Sequence, residues 1–286
     1  MNRINLCHNK ETVNSYCSYF RVDELYLFLS FAQKYSIDLR YFLELAYNGT
    51  LYHGWQRQPN AVSVQETVEK VLTIILREEI VIMGAGRTDS GVHARQLMAH
   101  FDYNGYLDTD SVVYKLNCLL PGEIAVYSIR NVKGSAHARF DAVSRSYEYH
   151  ITFLKDPFSI HMTYFLKKKL DVSRMNEAAT MLLRYKNFKC FSKSKTDVKT
   201  YDCNITEALW QSTKDGLIFK ITANRFLRNM VRAIVGTLIE IGENKLDVSD
   251  LERILKSKDR GQAGYSVPAS GLYLTAVEYP KTIYIE

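Results

Sequence analysis

Three groups that could take part in catalysis, a carboxylate, a guanidinium and an imidazole, occur together in the glycine-rich segment at residues 84–94. The segment reads GAGRTDSGVHA and contains Asp89, which could act as a nucleophile or base, between Arg87 and His93. Glycines let a backbone approach a ligand closely, so one interpretation is a turn that presents Asp89 to a ligand. The other is a tight turn in which Asp89 caps its own backbone. The residues of the segment leave both interpretations open.

Three common nucleotide-binding and nucleotide-modifying motifs do not match this segment. A P-loop needs Lys followed by Ser or Thr after its glycines, and no such pair follows here. A dinucleotide fingerprint needs a third glycine where this chain has Asp89, and a long helix where the next residues predict a strand. A zinc-dependent nucleobase deaminase needs H-x-E and P-C-x-x-C, and the sequence has neither.

Cysteine and histidine spacing disfavours a metal enzyme. The five cysteines are odd in number and form no C-x-x-C, and the seven histidines form no H-x-x-x-H. We therefore expect no bound metal, and reduced thiols in a cytoplasmic protein. The polar N-terminus lacks a secretion signal, and no apolar run approaches the roughly 18 residues of a membrane span. We expect no membrane association.

Basic residues give the chain a net charge of +6, from 37 Lys and Arg against 31 Asp and Glu. This charge permits a nucleic-acid partner without demonstrating one. The basic residues cluster at 167–169, at 186–199 and at Arg225, Arg228 and Arg232. The 186–199 stretch alternates lysines, including Lys193 and Lys195, with Phe188 and Phe191. That pattern suits a loop that follows a phosphate backbone and stacks on bases. The alternative is a solvated surface loop.

The hydrophobic pattern predicts the elements that must hold these residues. Strands are predicted at 40–47, 80–83, 97–103, 124–130, 144–153 and 272–279, with a hairpin joining 204–210 to 217–222. Helices are predicted after caps at Ser63, Ser173 and Ser249, and over 108–120 and 226–241. Strands and helices mix without strict alternation, which favours an α+β fold with a mixed or antiparallel sheet.

Taken together, several motifs resemble the tRNA pseudouridine synthase A family. Residues 86–94 are similar to its G-R-T-D-x-G-V-H-A motif. Further similar blocks follow in the family's order, at 52–56, 63–66, 119–126, 137–147, 229–232 and 271–274. The resemblance covers about residues 39–280. One departure is Gln96-Leu97, where the family commonly has Gly-Gln.

The resemblance implies roles for individual residues. It makes Asp89 the catalytic nucleophile or base, with Arg232 as the arginine paired to it. Tyr147 corresponds to the tyrosine that stacks on the target base and takes the C5 proton late in the reaction. Leu272 corresponds to an apolar residue across the base pocket, for which plain strand packing is the alternative. Arg87 corresponds to an arginine that helps to flip the nucleotide out of the stack.

The sequence indicates the residues that contact the substrate less specifically than the catalytic residues. His93 could contact RNA or satisfy the turn, and the turn is the favoured interpretation. The resemblance also makes the basic residues candidate contacts to the tRNA backbone, namely Lys193, Lys195, Arg225 and Arg228.

The family also implies an architecture and a substrate. We expect two similar sheet-and-helix lobes, at 39–145 and 146–286, forming one mixed, mainly antiparallel sheet with a central RNA-binding cleft. Residues 1–38 would be an N-terminal extension of uncertain status, with a misassigned start codon as the favoured explanation. The expected substrate is uridine at positions 38–40 of the tRNA anticodon stem-loop. The expected enzyme is a cytoplasmic homodimer without a cofactor.

Two other functions compete with this hypothesis. One is a non-catalytic RNA-binding protein on the same fold, which should have lost Asp89, Tyr147 or Arg232. The other is a small-molecule nucleotide enzyme that uses the glycine-rich segment, which should have a phosphate-binding Lys-Ser/Thr pair. The chain keeps all three residues and lacks that pair.

Overall fold

A computed structural model describes residues 39–193 and 198–285. Its nine strands are β1 (Leu39–Tyr47), β2 (Met83–Gly84), β3 (His93–Tyr103), β4 (Ile124–Val132), β5 (Ser144–Thr152), β6 (Tyr164–Phe165), β7 (Ile205–Ser212), β8 (Gly216–Ala223) and β9 (Leu272–Glu278). The five helices of this part of the chain are α1 (Val64–Leu76), α2 (Thr109–Leu119), α3 (Val172–Leu182), α4 (Met230–Gly242) and α5 (Val248–Ser257).

All nine strands belong to one sheet in the order β4-β1-β3-β9-β5-β8-β7, with β2 beside β3 and β6 beside β5. The β3–β9 and β5–β6 pairs are parallel, and the other pairs are antiparallel. Helices and strands follow one another irregularly along the chain. The predicted α+β class with a mixed, mainly antiparallel sheet is confirmed.

The buried side chains form two hydrophobic clusters along the sheet. The first combines β1 and β3 residues such as Leu43 and Leu97 with apolar residues of α1 and α2. The second combines β5 and β8 residues such as Tyr149 and Phe219 with α3, α4 and α5. Tyr147 packs against both clusters, so it marks the place where they meet.

The helix N-termini are predicted from capping residues, and one of three predicted caps is confirmed. The Ser63 hydroxyl accepts a hydrogen bond from the Glu66 amide at 3.3 Å and starts α1, as predicted. The Ser173 cap is wrong, because the Asp171 carboxylate two residues earlier caps α3 by accepting the Arg174 amide. The capping box predicted at Ser249 is likewise formed two residues earlier, by Asp247 and Asp250.

Three other boundaries also differ from the prediction. Helix α4 begins at Met230 rather than at residue 226, because Asn229 has a left-handed backbone (φ 66°) that interrupts the helix. The strand predicted at 80–83 is reduced to β2, while β3 begins at His93 rather than at 97.

The lysine-rich segment is tied to the core by its aromatic residues. Phe188 and Phe191 are fully buried in the second cluster, so the idea that they stack on RNA bases is wrong. Their burial follows from a short helical turn, Lys189–Phe191, and from a bridge between Asn187 and Asp202. The described lysines of this segment, Lys186, Lys189, Lys193 and Lys199, therefore lie close to chain that is anchored in the core.

The structure does not test the predicted division into lobes or the predictions for residues 1–38 and Lys195. The boundary between lobes at 145/146 falls within β5, and the division into lobes stays a prediction. The predictions for residues 1–38 and for Lys195 lie outside the described residues. Among the described helices, none is both long enough and apolar enough to span a membrane.

Candidate active site

The glycine-rich segment connects β2 to β3 and is fixed by the chain around residues 52–55. The Trp55 amide donates to the Thr88 carbonyl (3.4 Å), and the Gly91 amide donates to the Tyr52 carbonyl (3.3 Å). Gly54 has φ +88°, and a Cβ there would lie 2.3 Å from the Thr88 oxygen, so only glycine fits. These contacts give Asp89 a defined position.

Asp89 faces Arg232, which lies 143 residues later in the chain, in the first turn of α4. Arg232 Nη1 lies 3.3 Å from Asp89 Oδ2 and forms an ion pair with it. The same guanidinium donates through Nε to the Val267 carbonyl at 2.7 Å. Both side chains keep contact with solvent, with 29% of Asp89 and 21% of Arg232 exposed. The pair is therefore oriented by the protein and accessible to a ligand.

Tyr147 lies on β5 and contacts Phe226 edge to face, with ring centroids 5.2 Å apart. The pKa of Tyr147 is raised to about 12, mainly by burial; the Arg145 guanidinium opposes this rise and the nearby Asp89 carboxylate contributes to it. The phenol therefore carries its proton at neutral pH. A carboxyl group and an arginine thus lie near a protonated phenol, whose ring packs against both core clusters.

Comparison with known proteins identifies the family. Residues 178–280 match the family model described as tRNA pseudouridine synthase. The chain is 52% identical over 247 residues to tRNA pseudouridine synthase A of Bacteroides fragilis, covering 86% of this chain and 98% of that protein. It is 39% identical to the Bacillus subtilis protein of the same name, covering 82% and 97%. The Chlorobaculum tepidum protein of that name is 40% identical, with coverage of 83% and 96%.

The chain belongs to the tRNA pseudouridine synthase A family. Pseudouridine synthases are isomerases, and membership makes this chain an enzyme of that class.

His93 of this tRNA pseudouridine synthase turns away from solvent and is only 1% exposed. Its Nδ1 accepts the Gly49 amide at 3.1 Å, so Nε2 carries the proton and points at the His161 and Ser270 carbonyls, at 2.9 and 3.2 Å. Burial lowers the pKa of His93, which keeps the ring neutral. The imidazole joins three segments of chain and is not presented to a ligand.

Leu272 is also buried, at 6% exposure, where β9 begins. It pairs with Tyr149 of β5 and belongs to the second core cluster, two residues from Leu274, which pairs with Tyr147. Its packing against β5 accounts for its apolar side chain. The base-pocket role stays a prediction.

Basic side chains lie outside this core. Arg87 and Arg228 are exposed and Arg225 is half-buried. The Lys193 amide donates to the Arg228 carbonyl at 3.0 Å, which brings the lysine-rich segment beside the residues that precede α4. Two of the predicted RNA contacts are thus neighbours in space.

Two contributors to this site could not be predicted from residue types. The Val267 carbonyl orients Arg232, and a backbone acceptor has no residue-type signature. The Tyr47 and Thr88 hydroxyls are hydrogen-bonded at 2.8 Å, although the sequence pattern predicts for Tyr47 only a place at the end of a strand. In the described ranges, no group of three or more His, Cys, Asp or Glu side chains is placed to hold a metal ion.

Proposed function

We propose that this enzyme converts uridine to pseudouridine at positions 38–40 of the tRNA anticodon stem-loop, with Asp89 as nucleophile or base. The observation that carries the proposal is the Asp89–Arg232 ion pair near Tyr147, whose ring packs against both core clusters. Relatives named tRNA pseudouridine synthase A support the substrate class, because this chain matches them over nearly their whole length.

The chemistry needs no external electron carrier or group donor. The bond from C1′ to N1 breaks, a bond from C1′ to C5 forms, and the C5 proton is lost while N1 gains one. The Asp89 carboxylate could start this by attacking C1′, by attacking C6, or by removing the C2′ proton. Each route uses the Asp89 carboxylate, which the Arg232 guanidinium contacts at 3.3 Å. We therefore propose catalysis without a metal or organic cofactor.

The protonated phenol of Tyr147 fits stacking on the base better than simple proton abstraction. A phenol with a pKa of about 12 is almost entirely protonated at neutral pH, and its neutral oxygen is only a very weak base. If it accepts the C5 proton, it must pass on its own proton in the same step. Arg232 stays paired to Asp89 throughout and supplies the fixed positive charge.

We propose that four basic residues hold the tRNA. Arg87 would brace the space left by the flipped nucleotide, and Lys193, Arg225 and Arg228 would contact phosphates. The proximity of the Lys193 and Arg228 backbones supports one continuous basic surface. We also propose a cytoplasmic homodimer, on the family resemblance, and light scattering on the purified full chain would measure its mass.

Tritium release from tRNA labelled at uracil C5 tests the function, because C5 exchanges its proton for C1′. We expect release from the wild type on tRNAs or stem-loops with uridine at positions 38–40. Asp89→Asn should lower the single-turnover rate by about 10⁴-fold, since it keeps the shape and removes the base. Filter binding should show unchanged tRNA affinity.

Three results would contradict this proposal. No release by the wild type on any such substrate would refute the isomerase function. Comparable rates for Asp89→Asn would show that another group starts the reaction. Loss of affinity together with rate in that variant would instead favour a binding role for Asp89.

A further inference from the structure

Arg145 makes four hydrogen bonds, and every acceptor is a backbone carbonyl. Nη1 donates to the Ala142 oxygen at 2.9 Å and to the Asn224 oxygen at 2.8 Å. Nη2 donates to the Ala85 oxygen at 3.1 Å and to the Arg139 oxygen at 2.6 Å. The side chain is half-buried on β5, two residues before Tyr147.

Two of these carbonyls belong to chain segments that lead to residues of the candidate site. Ala85 lies four residues before Asp89, and its own amide donates to the Met98 carbonyl at 2.7 Å. Asn224 lies two residues before Phe226, whose ring contacts Tyr147. One guanidinium therefore connects the start of the Asp89 segment to the chain that carries Phe226.

Partial burial of the Arg145 charge costs free energy, which its hydrogen bonds to the four carbonyls must offset. None of the ion pairs found among the described residues includes Arg145. Removing an unpaired charge from water is unfavourable, and this burial lowers the pKa of Arg145. The four carbonyl dipoles offset that cost. A planar guanidinium can hold them at once, whereas a lysine ammonium has only three donors on one atom.

Building on the proposed isomerase function, we propose that Arg145 is a positioning residue that fixes the Asp89 segment relative to Tyr147 and Phe226. It touches no reacting atom and acts through the backbone of both segments. A displacement of about 1 Å between reacting groups can cost about 100-fold in rate. Loss of Arg145 should therefore slow the chemical step more than it weakens tRNA binding.

The test compares Arg145→Met and Arg145→Lys with Arg174→Met. Arg174 on α3 also bonds a carbonyl, that of Leu246, and a carboxylate, that of Asp247, so its loss controls for general destabilisation. Single-turnover tritium release and filter binding are measured per folded molecule, with folding followed by circular dichroism.

We expect Arg145→Met to lower the single-turnover rate by about 10- to 100-fold with less than a threefold change in tRNA affinity. Arg145→Lys should recover part of the rate, because an ammonium can satisfy some of the carbonyls. Arg174→Met should keep the wild-type rate. If Arg145→Met does not fold, the lysine variant decides, with a loss of about three- to tenfold expected.

Contrary outcomes are distinct from one another. A wild-type rate in a folded Arg145→Met, or in Arg145→Lys when the methionine variant is unfolded, overturns the positioning role and leaves the isomerase function standing. A loss confined to affinity overturns it in favour of an RNA contact. If the wild type releases no tritium, the proposed function is refuted, and the positioning role of Arg145 is refuted as well.

Discussion

The glycine-rich segment at 84–94 and the lysine-rich segment at 186–199 have similar functional signals in the sequence, but they are built differently. In the first, Asp89 meets a partner from α4 while His93 turns inward to bond three backbone positions. In the second, the aromatic residues enter the core and Lys193 is exposed. The first segment is organised around a defined pair, and the second supplies an anchored surface.

In both segments, the mixed polar and apolar residues divide between two tasks. Apolar rings and the buried imidazole anchor the backbone, which lets the remaining charged groups keep a defined place. The site should therefore respond differently to changes in paired, anchoring and exposed residues. Three substitutions separate these responses.

The largest effect is expected for Arg232→Met, which removes the partner of Asp89. Losing one positioned charge or donor at a reacting centre costs about 10²- to 10³-fold in rate. Arg232→Lys should retain the charge but not both contacts, because one ammonium replaces the Nη1 and Nε donors to Asp89 and Val267. Single-turnover tritium release measures both variants. A methionine variant within threefold of the wild type would mean that the pair is not catalytic.

An intermediate effect, on stability rather than on rate, is expected for His93→Leu. The change leaves the Gly49 amide and the His161 and Ser270 carbonyls without this partner, and a lost buried hydrogen-bond partner costs about 1–3 kcal/mol of unfolding free energy. The rate per folded molecule should stay within about threefold of the wild type. Urea unfolding at pH 7.5 measures the loss of stability.

The pH dependence of that loss identifies the imidazole. Because burial lowers the pKa of His93, the unfolded chain binds its proton first as the pH falls below about 6.5. The wild type then loses a stabilising contribution that the leucine variant never had. The stability difference should be smaller at pH 5 than at pH 7.5, with the other histidines common to both proteins. An equal difference at both values would contradict a neutral, buried His93.

Sequence reasoning predicted the fold class and the elements around the site because their signals are local. The Ser63 cap and the alternation in β1 needed no distant contact. The start of α4 and the burial of Phe188 depend on tertiary packing, which residue types near them do not encode.

The candidate site divides in the same way. The motif around Asp89 and the arginine at 232 can be recognised from residue types. The family resemblance predicts that they pair, and they lie 3.3 Å apart. The carbonyls that hold Arg232 and Arg145 are not visible, since any residue can supply a backbone oxygen. Gln96 shows the same limit, because its amide joins Glu44 to the Val277 backbone across three strands.

The smallest effect is expected for Lys193→Ala, which tests the exposed segment. One lost phosphate contact should reduce the slope of log affinity against log salt by about 0.7–0.9, with little change in the single-turnover rate at saturation. Lys214→Ala, at the exposed β7–β8 turn, is the matched control and should keep the wild-type slope. Filter binding across a salt series measures both. Equal slopes for the two variants would make the lysine-rich segment a solvated surface and leave tRNA binding to the arginines near α4.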